Sequence, residues 1–326
     1  MKPFRTPIQA DVSKDTLSHR HRFLTLGSCF SDAMGMRLVG HKVQTLSNPF
    51  GTVYNPASIH KLLDYAITGS PPSEDGYLEH DGLHLHYDFH SRFAESDRES
   101  LATKLQDQLR ITRAALEQAH VVILAYGTAF VYTRNSNASL VANCHKQPLR
   151  EFSKRLLTVE EVTASFQACR KNLLEVNPRL KFLLTVSPVR HVKDTFELNS
   201  VSKAILRLAC HQLTTAWEGV MYFPAFEIMM DDLRDYRFYK EDMLHPSDVA
   251  EQYLWEEFIR RHFDLESTSL FQKWSAIKAS MEHRPFHPHS ATHQQFLKKT
   301  LARLEEISNE LPVDEEIEHL KKQLLI

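Results

Sequence analysis

Phe23-Leu24-Thr25-Leu26 runs directly into Gly27-Ser28-Cys29-Phe30-Ser31. A short apolar run suits a buried strand, and the glycine permits a tight turn from strand to helix. The serine then lies where the helix begins, close to N–H groups that have no partner within the helix. A Gly-Ser pair in this position also serves as a plain turn and N-cap. What surrounds the stretch decides how much it says.

Four more apolar runs have the same form. Val43-Gln44-Thr45-Leu46 ends at Ser47-Asn48-Pro49, and Val121-Val122-Ile123-Leu124-Ala125-Tyr126 ends at Gly127. Phe182-Leu183-Leu184-Thr185-Val186 ends at Ser187-Pro188, and Val220-Met221-Tyr222-Phe223 ends at Pro224. Runs this short, closed by Gly or Pro, suit buried parallel strands. Helical spacing fills the gaps, over 57–67, 96–118, 158–176, 200–217 and 247–261. The fourth strand's preceding helix opens Thr158-Val159-Glu160-Glu161, a capping box. Strand and helix in alternation predict a three-layer α/β/α sandwich with a mostly parallel five-stranded sheet. Ligands of such sheets sit at the carboxyl ends of the strands.

Two regions break the rhythm. Leu83 to Phe89 alternates strictly, so 76–92 reads as an inserted strand or hairpin. Residues 265–326 read as a helical extension, with Leu297, Leu301, Leu304, Ile307 and Leu311 on one stripe. The expected division is a catalytic domain over 1–264 and the extension over 265–326. The stripe can pack on the domain or make a homo-oligomer contact.

The chain has 326 residues, 42% hydrophobic and 25% charged, with 39 Lys plus Arg against 41 Asp plus Glu. Those values exclude a disordered chain and disfavour a generally basic nucleic-acid binder. No run reaches a membrane span, and Met1 to Thr16 lacks an apolar signal core. Cys29, Cys144, Cys169 and Cys210 have no paired spacing and read as free thiols, which points to the cytoplasm.

The second informative stretch is Glu241-Asp242-Met243-Leu244-His245-Pro246-Ser247, between the last strand and the last sheet helix. A carboxylate three residues before a histidine can fold back and accept its Nδ1–H. That fixes the tautomer and leaves Nε2 to act as a base.

Taken together, these blocks resemble the GSCFA-domain proteins of the SGNH/GDSL-type hydrolase superfamily. The resemblance rests on Gly27-Ser28-Cys29-Phe30-Ser31, Asn48-Pro49-Phe50-Gly51 with Tyr54-Asn55-Pro56, and Asp88-Phe89-His90-Ser91. It extends to Gly127-Thr128-Ala129-Phe130-Val131-Tyr132, Asn143-Cys144-His145-Lys146, Ser187-Pro188-Val189-Arg190-His191, Arg234 to Ser247, and His283-Arg284-Pro285-Phe286. The family motif has Ala where this chain has Ser31. The resemblance implies Ser28 as nucleophile with Asp242 and His245 on a late loop. It implies an oxyanion hole from the Ser28 and Gly51 N–H groups and one more donor. The superfamily's third-block Asn is absent after Gly127, so Thr128, Asn55 or Asn143 would supply that donor.

Other candidates are weighed on position. Cys29 is a rival nucleophile, but neighbouring residues at a strand end point opposite ways, and Cys29 is expected in the core. His84, His86, Asp88 and His90 share one parity, as a metal site or as the polar face of a strand along a cleft would. Only Asp88 and His90 fall in the family-like block, so those two are expected to line the cleft and no metal is expected. His283, His287, His289 and His293 read as a solvated linker. Asn143 and His145 follow the third strand, and Arg190 and His191 end the fourth. All four are expected near the substrate. The resulting expectation is a serine esterase without cofactor, removing a small acyl group, such as acetyl, from a carbohydrate or other polar carrier. An O-acyltransferase using the same site and a binding module with a retired site are the alternatives.

Overall fold

The computed structural model describes residues 5–8 and 15–324. Most of the Met1 to Thr16 segment therefore lies outside the described residues. Five parallel strands form the central sheet: β1 (Phe23–Gly27), β2 (Thr45–Ser47), β5 (Val121–Tyr126), β9 (Lys181–Val186) and β10 (Val220–Phe223). Their order is β10-β9-β5-β1-β2. The chain steps from β1 outward to β2, then returns past β1 to build β5, β9 and β10. This order places a topological switch between the carboxyl ends of β1 and β5, where such sheets open a crevice.

Alternation along each strand feeds two cores. Leu24, Leu26, Val122, Leu124, Phe182 and Leu184 face α2 (Pro56–Thr68), α3 (Arg98–Gln118), α4 (Val159–Val176) and α5 (Phe196–Ala216). Phe23, Val121, Ile123 and Leu183 face α1 (Cys29–Gly40) and α7 (Asp248–His262). The expected three-layer α/β sandwich is thus what the chain forms. Thr158 caps α4 through the full capping box.

The 76–92 insertion contains an antiparallel hairpin, β3 (Tyr77–His80) and β4 (Leu83–His86). Asp81 and Gly82, both at positive φ, make its two-residue turn. The strand stops at His86, so Asp88 and His90 do not share its face, as parity had suggested. A second small sheet went unpredicted: β6 (Phe130–Arg134), β7 (Leu140–Val141) and β8 (Phe152–Leu156) pair as β7-β6-β8. Its signal was present in Phe130-Val131-Tyr132-Thr133, aromatic and β-branched residues in sequence.

After β10, the short turn α6 (Ala225–Glu227) leads into the loop carrying Asp242 and His245. The extension folds as α8 (Leu265–Met281), α9 (Ala291–Glu306) and α10 (Asp314–Lys321). Leu270, Trp274 and Ile277 meet Leu297, Leu304, Ile307 and Leu311 in a core of their own. Trp274 donates its indole N–H to the Gly40 carbonyl at 2.7 Å, and Lys42 pairs with Glu316, so the extension is fastened to the end of α1. Among the described residues, no helix is long and apolar enough to cross a membrane.

Candidate active site

Asp242 and His245 form a hydrogen-bonded pair. The Asp242 Oδ2 lies 2.6 Å from His245 Nδ1. Its other oxygen accepts the N–H groups of Leu244 at 2.8 Å and His245 at 2.9 Å. Those N–H groups, and then the imidazole, hold the Asp242 carboxyl down at about 2. A carboxylate tied to its own turn at three points cannot swing away, so it sets the ring's orientation. Met243 sits between them at φ +59, a left-handed backbone unusual for a side chain of its size. The loop is closed by Lys240 N–H donating to the His245 carbonyl at 2.8 Å. Pro246 follows and Ser247 caps α7, which fixes where the turn ends.

Arg190 braces this loop. Its guanidinium lies 4.2 Å from the Tyr239 ring centroid and its N–H reaches the Met243 carbonyl at 3.4 Å. That is a supporting role, different from the substrate contact expected of it. His191 turns the other way, with its ring against Tyr54 at 5.3 Å between centroids. A Cβ on Gly127 would meet His191 Nε2 at 3.1 Å and the Tyr54 ring at 3.2 Å, so the glycine makes room for both. Burial, then Lys203 and His245, pull His191 down to about 3, so it is neutral at pH 7. Its Nε2 has no hydrogen-bond partner.

The strand-to-helix turn is tightly built. Gly27 has φ +139, and a Cβ there would stand 2.1 Å from the Ala125 carbonyl oxygen. Its N–H donates to Asn48 Oδ1 at 2.8 Å. Ser28 is fully enclosed and its Oγ makes no hydrogen bond. Its N–H donates to the Ala125 carbonyl at 3.0 Å, one more rung of the β1–β5 ladder. Cys29 opens α1 and is partly exposed, where the core had been expected.

Two of the expected oxyanion N–H donors are also committed. Gly51 N–H donates to the Asn48 carbonyl at 2.8 Å, and Thr128 N–H donates to the Tyr54 carbonyl at 3.1 Å. The Thr128 hydroxyl lies 3.0 Å from Ser202 Oγ. The Asn55 side chain caps α2 by accepting the Ser58 N–H at 2.8 Å. The Gly51 and Thr128 N–H groups are thus taken up in the loops around the turn, whereas Asn55 caps with its oxygen.

The remaining candidates lie elsewhere. Asp88 is buried in an ion pair with Lys61 at 2.7 Å and accepts from the Tyr65 hydroxyl at 3.2 Å. His145 is buried with Nε2 2.9 Å from the His86 carbonyl, and Asn143 Oδ1 accepts the His145 N–H. Asp88 is thus tied to α2, and His145 ties the end of the hairpin to the loop after β7. His90 caps a short turn by accepting the Arg92 N–H and packs against Gly51, on the margin of the site. Away from the edge, His19, Glu266 and Glu310 bring one potential metal-ligand atom each within 4.8 Å of one another.

One contributor escaped the sequence reading. Lys203 of α5 is fully buried at the carboxyl ends of β5 and β9, donating to the Gly127 carbonyl at 2.8 Å and the Ser187 carbonyl at 2.7 Å. Burial pulls its ammonium down to about 7. Its signal was a lysine within the apolar stripe that runs through Leu206, Cys210 and Leu213.

Among solved structures, the chain resembles a Streptococcus pneumonia protein provisionally described as a platelet activating factor, at 12% identity and TM-score 0.39, over 74% of this chain and 83% of that one. It also resembles a carbohydrate esterase family 3 protein from Talaromyces cellulolyticus, at 9% identity and TM-score 0.35, over 78% of this chain and 99% of that one. A Clostridium thermocellum family 3 carbohydrate esterase matches at 10% identity and TM-score 0.31, over 78% and 98%. No curated protein matches the chain. The GSCFA family model matches residues 22–258, and the model of the GSCFA C-terminal domain matches residues 274–326. This chain belongs to the GSCFA family.

Proposed function

We propose that this protein is an ester hydrolase that removes a small acyl group, acetyl foremost, from a carbohydrate or other polar carrier. An acyl-enzyme forms at the β1–α1 turn. The observation that carries this reading is the Asp242–His245 pair, held in a braced loop at the carboxyl edge of the sheet. His245 takes the nucleophile's proton and returns it to the leaving alcohol. Asp242 holds the imidazole's tautomer and stabilises the imidazolium. The enzyme works in a reducing compartment, with its four cysteines free.

The test is turnover of p-nitrophenyl acetate and a panel of acetylated sugars by the wild type and by His245→Asn. Hydrolysis that falls at least about 10³-fold in the variant supports the reading. Equal rates in the two proteins, or no turnover of any ester, would overturn it. A second reading is favoured by the committed N–H groups of Gly51 and Thr128: a module that binds such a carrier without cleaving it. That reading predicts saturable sugar binding with no released acid.

A further inference from the structure

We propose that Cys29 is the nucleophile of this site and carries the acyl group as a thioester. The proposal rests on the acyl-enzyme reading above and assigns its attacking atom.

Four observations converge on Cys29. First, every residue from Phe23 to Ser31 is buried except Cys29. Ser28 Oγ is enclosed, so no substrate carbonyl can approach it without opening the turn. Second, the backbone divides the two residues. The Ser28 N–H belongs to the strand ladder through Ala125, whereas α1 begins at Cys29. The backbone N–H groups of Phe30 and of Cys29 itself favour the charged form of the thiol. Helix-terminal N–H groups aimed at the attacking atom can also meet the oxygen of a carbonyl under attack.

Third, Cys29 follows the carboxyl end of β1, at the switch between β1 and β5, and its charge reaches Tyr54, whose ring packs against His191. His191 feels the charges of both Lys203 and His245. Fourth, Lys203 is a buried ammonium with no carboxylate partner among the described residues. Cys29 is the acidic group whose charge acts on it. A buried cation without an anion is costly, and one placed beside a nucleophile stabilises the negative charge that develops there.

Burial and Asp32 keep the Cys29 thiol protonated at rest, so attack needs a base. His245 Nε2 takes the Sγ proton as Sγ bonds to the ester carbonyl carbon. The carbonyl electrons move to oxygen, where the α1 N–H groups receive them. The tetrahedral intermediate collapses, the carbon–alkoxy bond breaks, and His245 gives the proton to the leaving alcohol. Water then attacks the thioester with His245 as base. The carbon–sulfur bond breaks, and the proton returns to Sγ. Ester and water give acid and alcohol, with no other reactant.

The experiment is rapid quench of the folded protein with p-nitrophenyl acetate, followed by fragment mass analysis and neutral hydroxylamine treatment. Cys29→Ala, Cys29→Ser and denatured wild type run alongside. The expected result is acetyl on Cys29 of the folded wild type, released by neutral hydroxylamine as a thioester should be. Cys29→Ala loses the adduct and at least about 10³-fold in kcat/KM. Cys29→Ser, which keeps the size and geometry, carries a hydroxylamine-resistant acetyl on residue 29 and deacylates more slowly. Acetyl on Ser28, or wild-type turnover by a folded Cys29→Ala, overturns the assignment and leaves the acyl-enzyme reading intact. A wild type that cleaves no ester overturns the acyl-enzyme reading, and this assignment falls with it.

Discussion

Replacing Lys203 by Met should remove most of the protein's gain in stability between pH 7 and pH 9. The lysine is fully buried, and two carbonyls receive its protons with no carboxylate beside it. Burial lowers it from an ordinary 10.5 to about 7, with Cys29 opposing. The sign follows from proton counting. Between about pH 7 and 10.5 the unfolded chain holds the proton and the folded chain has released it. Stability therefore rises with pH across that window, by about 1.4 kcal/mol per pH unit from this group. Two pH units give about 2–3 kcal/mol. Methionine keeps a similar length and carries no proton. The variant also leaves the Gly127 and Ser187 carbonyls short of a donor, which costs about 1–3 kcal/mol at every pH and shifts the whole curve. The assay is urea unfolding of both proteins at pH 7, 8 and 9, comparing slopes rather than absolute stabilities. All other titrating groups are common to the two, so the difference in slope belongs to Lys203. Parallel pH profiles would show that Lys203 keeps its ordinary proton affinity in the fold, and the reasoning from its burial would be wrong.

Asp242→Asn should lower kcat/KM on a cleaved ester by about 10³–10⁴-fold with little change in melting temperature, because the pair lies on an exposed loop. An unaffected rate would remove Asp242 from the machinery. Gly27→Ala should destabilise the fold by more than about 2 kcal/mol, since the added methyl would overlap the Ala125 carbonyl at a positive φ. Thermal unfolding reads this directly, and a wild-type midpoint would contradict the turn geometry. Asp88→Asn should cost about 1–3 kcal/mol of stability by stranding Lys61, while leaving the KM for a small ester unchanged. A raised KM with intact stability would instead return Asp88 to the substrate.

The chemistry of the site was only half legible. Asp242 and His245 were readable because their partnership is local: three residues apart, on one turn, with a proline to end it. The difference between Ser28 and Cys29 was not. Ser28 and Cys29 are adjacent, and only the register of β1 against β5 says which of them is still strand and which opens the helix. Asp88 and His90 read as one face of a strand along the cleft, and Asn143 and His145 as residues after the third strand, so all four looked alike as cleft candidates. Burial separates them, because Asp88 and His145 are enclosed while His90 and Asn143 are half-buried.

The amino-acid sequence alone determined the alternating α/β plan, the hairpin at 76–92 and the helical extension. These follow from periodicities of two and 3.6 residues and from Gly, Pro and capping signals, all of which act within a few residues along the chain. Tertiary structure decided what depends on distant segments meeting. The return of the chain past β1 set the crevice between β1 and β5. It put the Lys203 ammonium of α5 against the carbonyls that follow β5 and β9, and it engaged the N–H groups of Gly51 and Thr128 in loop contacts. A backbone N–H can satisfy only one strong acceptor at a time. Which acceptor it finds is fixed by the packed fold and is invisible in the order of residues.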